Sequence, residues 1–216
     1  MPSAGAPTEF STNPARCIGP PVAGLRDRLR NATAAAHARL DAQLVTLSLG
    51  ELPDYRRFLE LSAAALLPLE TALIDAGVAR LFPDWELRSR RHAILTDLVR
   101  VGGKLHLLRG PEPLDHRAML GTMYVLEGSR LGAKVLLRTI AQSADPVVTN
   151  ATAYLRHGAG QQLWPSFLAA LERHAVALDD DASVVTGALE AFGRFSDAAA
   201  RIGRPPAPTR TAPALA

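Results

Sequence analysis

The chain has 216 residues, of which 48% are apolar and 5% aromatic, and its formal net charge is +3. This length fits one domain with a substantial core, and long stretches between Pro/Gly clusters favour Leu/Ala-rich helices over short strands. Because the acidic residues are interspersed among the arginines, the charge does not predict nucleic-acid binding.

The cysteine content and the distribution of apolar residues bear on the compartment. A single cysteine, Cys17, can form neither an intramolecular disulfide nor a cysteine-based metal cluster, as is typical of a reducing compartment. No continuous apolar segment resembles a secretory signal, and no window of about 18 residues is apolar enough to span a membrane. The sequence therefore predicts a soluble cytoplasmic protein without membrane contact.

The two ends of the chain differ in composition from its middle. Residues 1–21 and 204–216 are rich in Pro, Ser, Thr and Ala and lack periodic apolar residues, which predicts a disordered leader and tail. Residues 22–203 carry the 3.6-residue apolar period of helices throughout. We therefore expect one helical domain over 22–203.

Helical periodicity and stop signals predict the elements of this domain in chain order. Pro68 is a candidate kink in the second helix, Asp115 an early-turn carboxylate of the fourth, and Asp181 a candidate N-cap of the last. The predicted helices cover approximately residues 22–46, 53–77, 87–101, 114–141, 151–156, 163–178 and 181–203.

The first predicted helix carries a histidine and two arginines on one face. His37 shares this face with Arg26, Arg30 and Asp41, because 100° per residue brings them together. Imidazole is a common protein ligand of haem iron, and a cation one or more turns away can pair with a haem propionate, for which Arg30 has the better spacing. A helical histidine is more often an ordinary surface or hydrogen-bonded residue, so both interpretations stay open.

The long fourth helix has a face with almost no side chains. Gly121, Gly128 and Gly132 lie within about 40° of one another around the axis, with Ser129 and Ala133 beside them. Each glycine inside a helix lowers helix stability by roughly 1 kcal/mol relative to alanine, so the three together cost about 3 kcal/mol. Close approach of another group to the helix backbone should offset this loss. The approaching group is either a neighbouring helix or a ligand, since closely spaced charges exclude a membrane dimer face.

Two segments together resemble the signature helices of a known family. LRDRLRNATAAAHARLD, followed later by YVLEGSRLGAKVL, is similar to the bacterial heme oxygenases, especially the branch associated with bacteriophytochromes. The similarity extends more weakly through PDYRRFLEL, QQLWPSFLAAL and EAFGRF, and so covers roughly residues 23–203. It implies an all-α, single-domain multi-helix bundle in which haem is sandwiched between a proximal and a distal helix.

The resemblance assigns roles to particular residues. His37 matches the axial ligand of the haem iron, and the segment around Gly128 and Gly132 matches a kinked distal helix. The catalytic candidates are Ser129, Gly128 and Gly132, and the candidates for haem binding are His37, Arg30, Arg26, Gly128, Gly132, Ala133 and Phe192.

The resemblance also implies a reaction and partners. Family members cleave haem b, which is both substrate and cofactor, with O2 and electrons from an external reductase or ferredoxin, and release biliverdin, CO and ferrous iron. The sequence contains no flavin or iron–sulfur motif, so an electron-donor protein is expected. A bacteriophytochrome is the implied recipient of the biliverdin.

Two positions depart from the pattern of the animal enzymes. Ser129 stands where those enzymes carry an aspartate, as is typical of the phytochrome-associated branch, and Ala133 replaces the second glycine of a pair. Arg130 is either a solvated side chain, a propionate contact or part of a distal polar network. Alternative functions are a non-catalytic haem binder or carrier, and the same scaffold with another small molecule in its pocket.

Overall fold

The computed structural model describes residues 24–106, 108–175 and 181–202. The termini predicted to be disordered, together with Cys17 and the end of the last predicted helix at residue 203, lie outside these ranges. The domain boundaries stay a prediction. All regular elements of the described residues are helical, which confirms the all-α prediction. They are α1 (Leu25–Leu44), α2 (Leu52–Asp75), a 3-10 turn (Val78–Arg80), α3 (Trp85–Arg88), α4 (Arg91–Arg100), α5 (His116–Ile140), α6 (Pro146–Asn150), α7 (Ala153–Arg156), α8 (Leu163–Ala175) and α9 (Ala182–Ile202).

The core is organised around α9, which packs against α1, α2 and α5. Its buried face alternates small residues such as Ala188 and Ala191 with the large rings of Phe192 and Phe195. The small residues let neighbouring helices approach, while each buried phenylalanine contributes about 1.5–3 kcal/mol through removal from water. Helix α9 therefore packs against both α1 and α5 and fixes their positions in the core.

A close approach between the backbones of α5 and α9 explains Gly121, one of the three clustered glycines. A Cβ on Gly121 would lie 2.1 Å from the carbonyl oxygen of Val184 and 2.6 Å from the nitrogen of Ala188. On the α9 side, a Cβ on Gly187 would lie 2.6 Å from the Cα of Ala118. Helices α5 and α9 thus touch backbone to backbone, and the helix-packing interpretation is correct for Gly121.

The predicted third helix is instead two helices. Helix α3 ends at Arg88 and α4 begins at Arg91, because Glu70 of α2 captures the segment between them. The Glu70 carboxylate accepts hydrogen bonds from the Ser89 hydroxyl (2.7 Å) and from the backbone N–H groups of Arg90 (2.8 Å) and Arg91 (3.2 Å). A buried carboxylate from another helix therefore serves as the N-terminal cap of α4.

Other helix ends follow local capping rules. Asp115 is the N-cap of α5, where its carboxylate accepts from the Ala118 N–H at 2.7 Å, rather than a residue of the first turn. Helix α6 was not predicted, although Asp145 caps it through the Val147 N–H (2.7 Å) and Pro146 occupies its first turn. Helix α2 continues through Pro68 without a break.

No helix within the described ranges has the length and hydropathy needed to cross a membrane.

Candidate functional site

Helices α1 and α5 run in the same direction along the molecule. Both begin beside the C-terminal end of α8: a Cβ on Gly24 would lie 3.6 Å from Glu172 Oε1, and the His116 and His174 rings are 5.2 Å apart. Farther along, the Thr33 side chain of α1 lowers the pKa of Tyr124 of α5, so the two side chains lie close together. The two helices are therefore in register at this contact.

The Thr33–Tyr124 contact marks one end of the site. Burial raises the pKa of Tyr124, while the neighbouring Thr33 side chain and the nearby Arg26 and Arg30 oppose the rise. His37 and Gly128 each follow this contact by four residues, or about one helical turn. The predicted proximal histidine and distal glycine therefore occupy corresponding levels on the two helices.

One ring nitrogen of His37 contacts Asp41, and the other is available to a ligand. Its Nδ1 lies 2.8 Å from a carboxylate oxygen of Asp41, and its ring meets the Phe192 ring edge-on at 5.7 Å between centroids. The carboxylate favours the proton on Nδ1, which leaves the lone pair on Nε2, and the side chain is 61% exposed. This oriented and accessible imidazole suits metal ligation.

Among the described residues, no packing contact requires glycine at position 128 or 132. A Cβ on Gly128 would make ordinary contacts of 3.7 and 3.8 Å with the Trp164 side chain, and a Cβ on Gly132 would meet nothing within 4 Å. Alanine would therefore fit at both positions and would favour the helix by roughly 1 kcal/mol at each. Unlike Gly121, neither glycine is required by packing: Gly128 lies against the Trp164 ring with room for a Cβ, and Gly132 faces open space.

The remaining haem-binding candidates surround this space in different ways. Arg26 and Arg30 are exposed, and Arg30 makes a surface ion pair with Asp27 at 3.4 Å, which leaves it available to an anionic ligand. Ala133 is half-buried and packs on the core, and Phe192 is buried against His37. The geometry brings His37 of α1 into contact with Phe192 of α9 and places Arg30 and Arg26 about two and three turns before His37 on α1.

A buried polar cluster lies on another side of α5. Arg88 and Arg130 both contact the Glu127 carboxylate at 3.1 Å, and the exposed fractions of these three side chains are 2%, 11% and 1%. Arg130 also donates to His157 Nδ1 (3.1 Å) and to the Arg88 carbonyl. Arg130 therefore belongs to a polar network on the side of α5 that contacts Arg88 and His157. Its interpretation as a solvated side chain is wrong.

His157 is kept neutral by this cluster. Burial, and then the charges of Arg130 and Arg90, lower its pKa to about 4. An uncharged imidazole whose Nδ1 accepts from Arg130 carries its proton on Nε2. His157 thus contributes an acceptor to the cluster without adding a fourth positive charge.

The lowered pKa predicts a pH-dependent stability. The unfolded chain takes up this proton near the ordinary histidine pKa of 6.5, whereas the folded chain resists until about 4. The His157 contribution is therefore complete above pH 6.5 and is lost as the pH falls towards 4, by about 1–2 kcal/mol after allowance for solvent screening. Urea midpoints at pH 7.5 and 5 should differ less for His157→Asn than for the unmodified chain, and equal differences would contradict the assignment.

Ser129 is held by its own helix and by Arg90. Its hydroxyl donates to the Leu126 carbonyl at 2.7 Å and accepts from Arg90 Nη1 at 3.0 Å. A hydroxyl has one donor and two acceptor sites, so a single acceptor position remains. In this arrangement the hydroxyl can accept from an ordered water but has no proton free to donate.

Sequence reasoning missed three functional neighbours. Asp41 was placed on the face of His37 but was not recognised as its partner, although the spacing of four residues was a sufficient signal. Neither Tyr124 nor Arg90 was singled out, because their partners lie on helices distant in sequence. Among the described residues no group of three or more His, Cys, Asp or Glu side chains could hold a metal ion.

Comparison with known proteins gives concordant matches. The family model described as heme oxygenase matches residues 78–201, a range that begins after α1 and does not include His37. A heme oxygenase of Xanthomonas campestris is 28% identical over 152 residues, which are 70% of this chain and 92% of that protein. The heme oxygenase PigA of Pseudomonas aeruginosa is 29% identical over 180 residues, 79% of this chain and 88% of that protein.

A solved structure shares the fold. The NO- and CO-bound heme oxygenase of Neisseria meningitidis superposes with a TM-score of 0.70 at 23% sequence identity, over 84% of this chain and 92% of that one. This likeness extends over most of both chains and establishes the arrangement of helices.

Proposed function

The chain belongs to the heme oxygenase family, and from this premise we propose that it binds haem b between α1 and α5 and cleaves it oxidatively to biliverdin, CO and ferrous iron. The observation that carries the proposal is the pairing of Gly128 and Gly132, which no packing contact explains, with a histidine at the corresponding level of the facing helix whose Nε2 is free. A non-catalytic haem carrier is not favoured, because the family and its named relatives are oxygenases.

The residues present fit a flat, iron-containing anionic group. His37 would supply the axial nitrogen, with Asp41 fixing its tautomer and Phe192 supporting its ring. The exposed guanidinium groups of Arg30 and Arg26 would pair with the propionates. On α5, the absence of side chains at Gly128 and Gly132 would leave room for the flat group and for O2.

The chemistry is divided between the bound group and the chain. Haem, when bound, supplies the iron at which O2 is activated and is also the molecule that is oxidised. The protein would orient the haem through His37 and could accept a hydrogen bond from a water molecule at Ser129. Ala133 keeps the segment after Gly132 narrow without adding a polar group.

Electrons must reach this site from another protein. The sequence has one cysteine and no flavin or iron–sulfur motif, so a reductase or ferredoxin is the proposed donor. The cytoplasm is the proposed location of the reaction. By the same proposal a bacteriophytochrome is a recipient of the biliverdin.

Turnover of bound haem tests the proposal directly. The protein is loaded with one equivalent of ferric haem and given reductant and O2 in the presence of catalase, which removes the peroxide that would degrade haem non-specifically. We expect the haem absorption band to decay with the appearance of a bilin, identified by mass, and the release of CO. Haem recovered intact after repeated reduction and oxygenation would refute the proposed function.

A further inference from the structure

The carbonyl oxygen of Leu126 receives more hydrogen bonds than a helical carbonyl ordinarily does. It accepts from the Ser129 hydroxyl at 2.7 Å and from Arg90 Nη2 at 3.0 Å. In an α-helix the same oxygen is the partner of the N–H four residues later, which is that of Arg130. A carbonyl has two lone pairs, so three donors compete and the bond within the helix is weakened.

The weakened turn lies between a fixed and an open part of α5. Before it, Gly121 is locked against the backbone of α9. Within it, Gly128 has the greatest backbone freedom of any residue type. After it, Leu131 and Val135 are 56% and 62% exposed. A small rotation at Gly128 would therefore move the exposed side chains of this segment relative to α1, while Ala133, Leu136 and Leu137 hold its other face on the core.

Arg90 is well placed to control this turn because it is itself immobilised. The residue is 4% exposed, its backbone N–H is bound to Glu70, and its guanidinium lies 5.1 Å from the centre of the Tyr154 ring. The planar guanidinium directs two separate nitrogens to Leu126 and Ser129 at once, which a lysine ammonium on a flexible chain would not reproduce.

We propose that Arg90 is a positioning residue of the haem site: by holding the Leu126 carbonyl and the Ser129 hydroxyl, it fixes the turn of α5 around Gly128 and the orientation of the Ser129 oxygen. The inference rests on the proposed function. The hydroxyl proton stays on Leu126, so Ser129 acts on an ordered water as an acceptor only. Proton donors facing the ligand are then water molecules or backbone groups.

The experiment compares full-length Arg90→Lys and Ser129→Ala with the unmodified protein. Arg91→Lys is the matched control, because the neighbouring guanidinium of Arg91 contacts Leu67 and Thr71 of α2 instead of α5. Three quantities are measured: haem affinity by titration, the C–O stretching band of the reduced CO complex, and the turnover rate.

For Arg90→Lys we expect haem affinity within about threefold of the unmodified protein but a turnover rate lower by roughly 10- to 100-fold. The C–O band should broaden or split, because the distal segment would adopt more than one orientation. Ser129→Ala should change the band in the same way and to a smaller extent. The Arg91→Lys control should retain the original band and rate.

A single unchanged C–O band with unchanged turnover in Arg90→Lys would overturn the inference. If Arg90→Lys does not fold, the Ser129→Ala variant tests the inference instead, because Ser129 is exposed. An unchanged C–O band and turnover rate in Ser129→Ala would then overturn the inference. These results differ from a failure of the proposed function, in which the unmodified protein itself would bind no haem or leave it intact.

Discussion

Replacing Gly121 by alanine is expected to destabilise the ligand-free protein by more than about 3 kcal/mol, because the new methyl group has no space. It would lie 2.1 Å from the Val184 carbonyl oxygen, and the obstructing atoms are backbone, which cannot rotate away. Helices α5 and α9 would have to separate along the most extensive contact in the core. The measurement is the urea midpoint of unfolding without haem, and a loss below about 1 kcal/mol would contradict the close packing.

The same substitution at Gly132 is expected to have the opposite sign. Alanine favours a helix by roughly 1 kcal/mol over glycine, and the added Cβ meets nothing within 4 Å, so the ligand-free protein should gain stability. Haem affinity and turnover should fall, because the methyl group enters the space proposed for the macrocycle. Gly193→Ala is the matched control: this exposed glycine of α9 also has open space, so its substitution should stabilise without affecting haem. Unchanged haem binding in Gly132→Ala would remove the main support for a ligand on this face.

The long helices could be predicted from sequence because their signal is local. Helices α1 and α5 each repeat the apolar period over 20 or more residues, and their predicted ends are within three residues of the observed ones. The break between α3 and α4 could not be predicted, since its cause is Glu70, which lies about 20 residues away on α2. Helix α6 is only five residues long, so its Asp-Pro start was the sole available signal.

The site could be predicted in part for the same reason. Helical geometry placed Gly121, Gly128 and Gly132 on one face, but only the crossing of α5 over α9 shows that the first glycine serves packing and the other two do not. Charged side chains are ordinarily assigned to solvent, so the sequence left a polar network as one of three interpretations of Arg130 and did not identify Glu127 as its partner. Arg90 reaches Ser129 across 39 residues of sequence, a distance over which no periodicity carries information.

Replacing His37 by alanine is expected to remove the axial nitrogen and to change the absorption spectrum of the haem complex. Affinity should fall at least tenfold, and added imidazole should restore the spectrum by occupying the vacated position. Folding should be little affected, because the side chain is 61% exposed and its carboxylate partner Asp41 is equally accessible. His92→Ala is the matched control, as this exposed histidine of α4 lies on a different helix. An unchanged spectrum and affinity in His37→Ala would exclude ligation by this residue.

Asp41→Asn separates the two functions of the proximal pair. The amide oxygen can still accept from Nδ1–H, so His37 should keep its tautomer and the complex should still form. The negative charge is lost, however, and with it the increase in imidazole basicity that a carboxylate partner provides. The reduction potential of bound haem should therefore rise while the ligation state is unchanged. Because this effect needs contact between Asp41 and His37 at 2.8 Å, a shift of potential without loss of the axial ligand would establish that the pair acts as a unit.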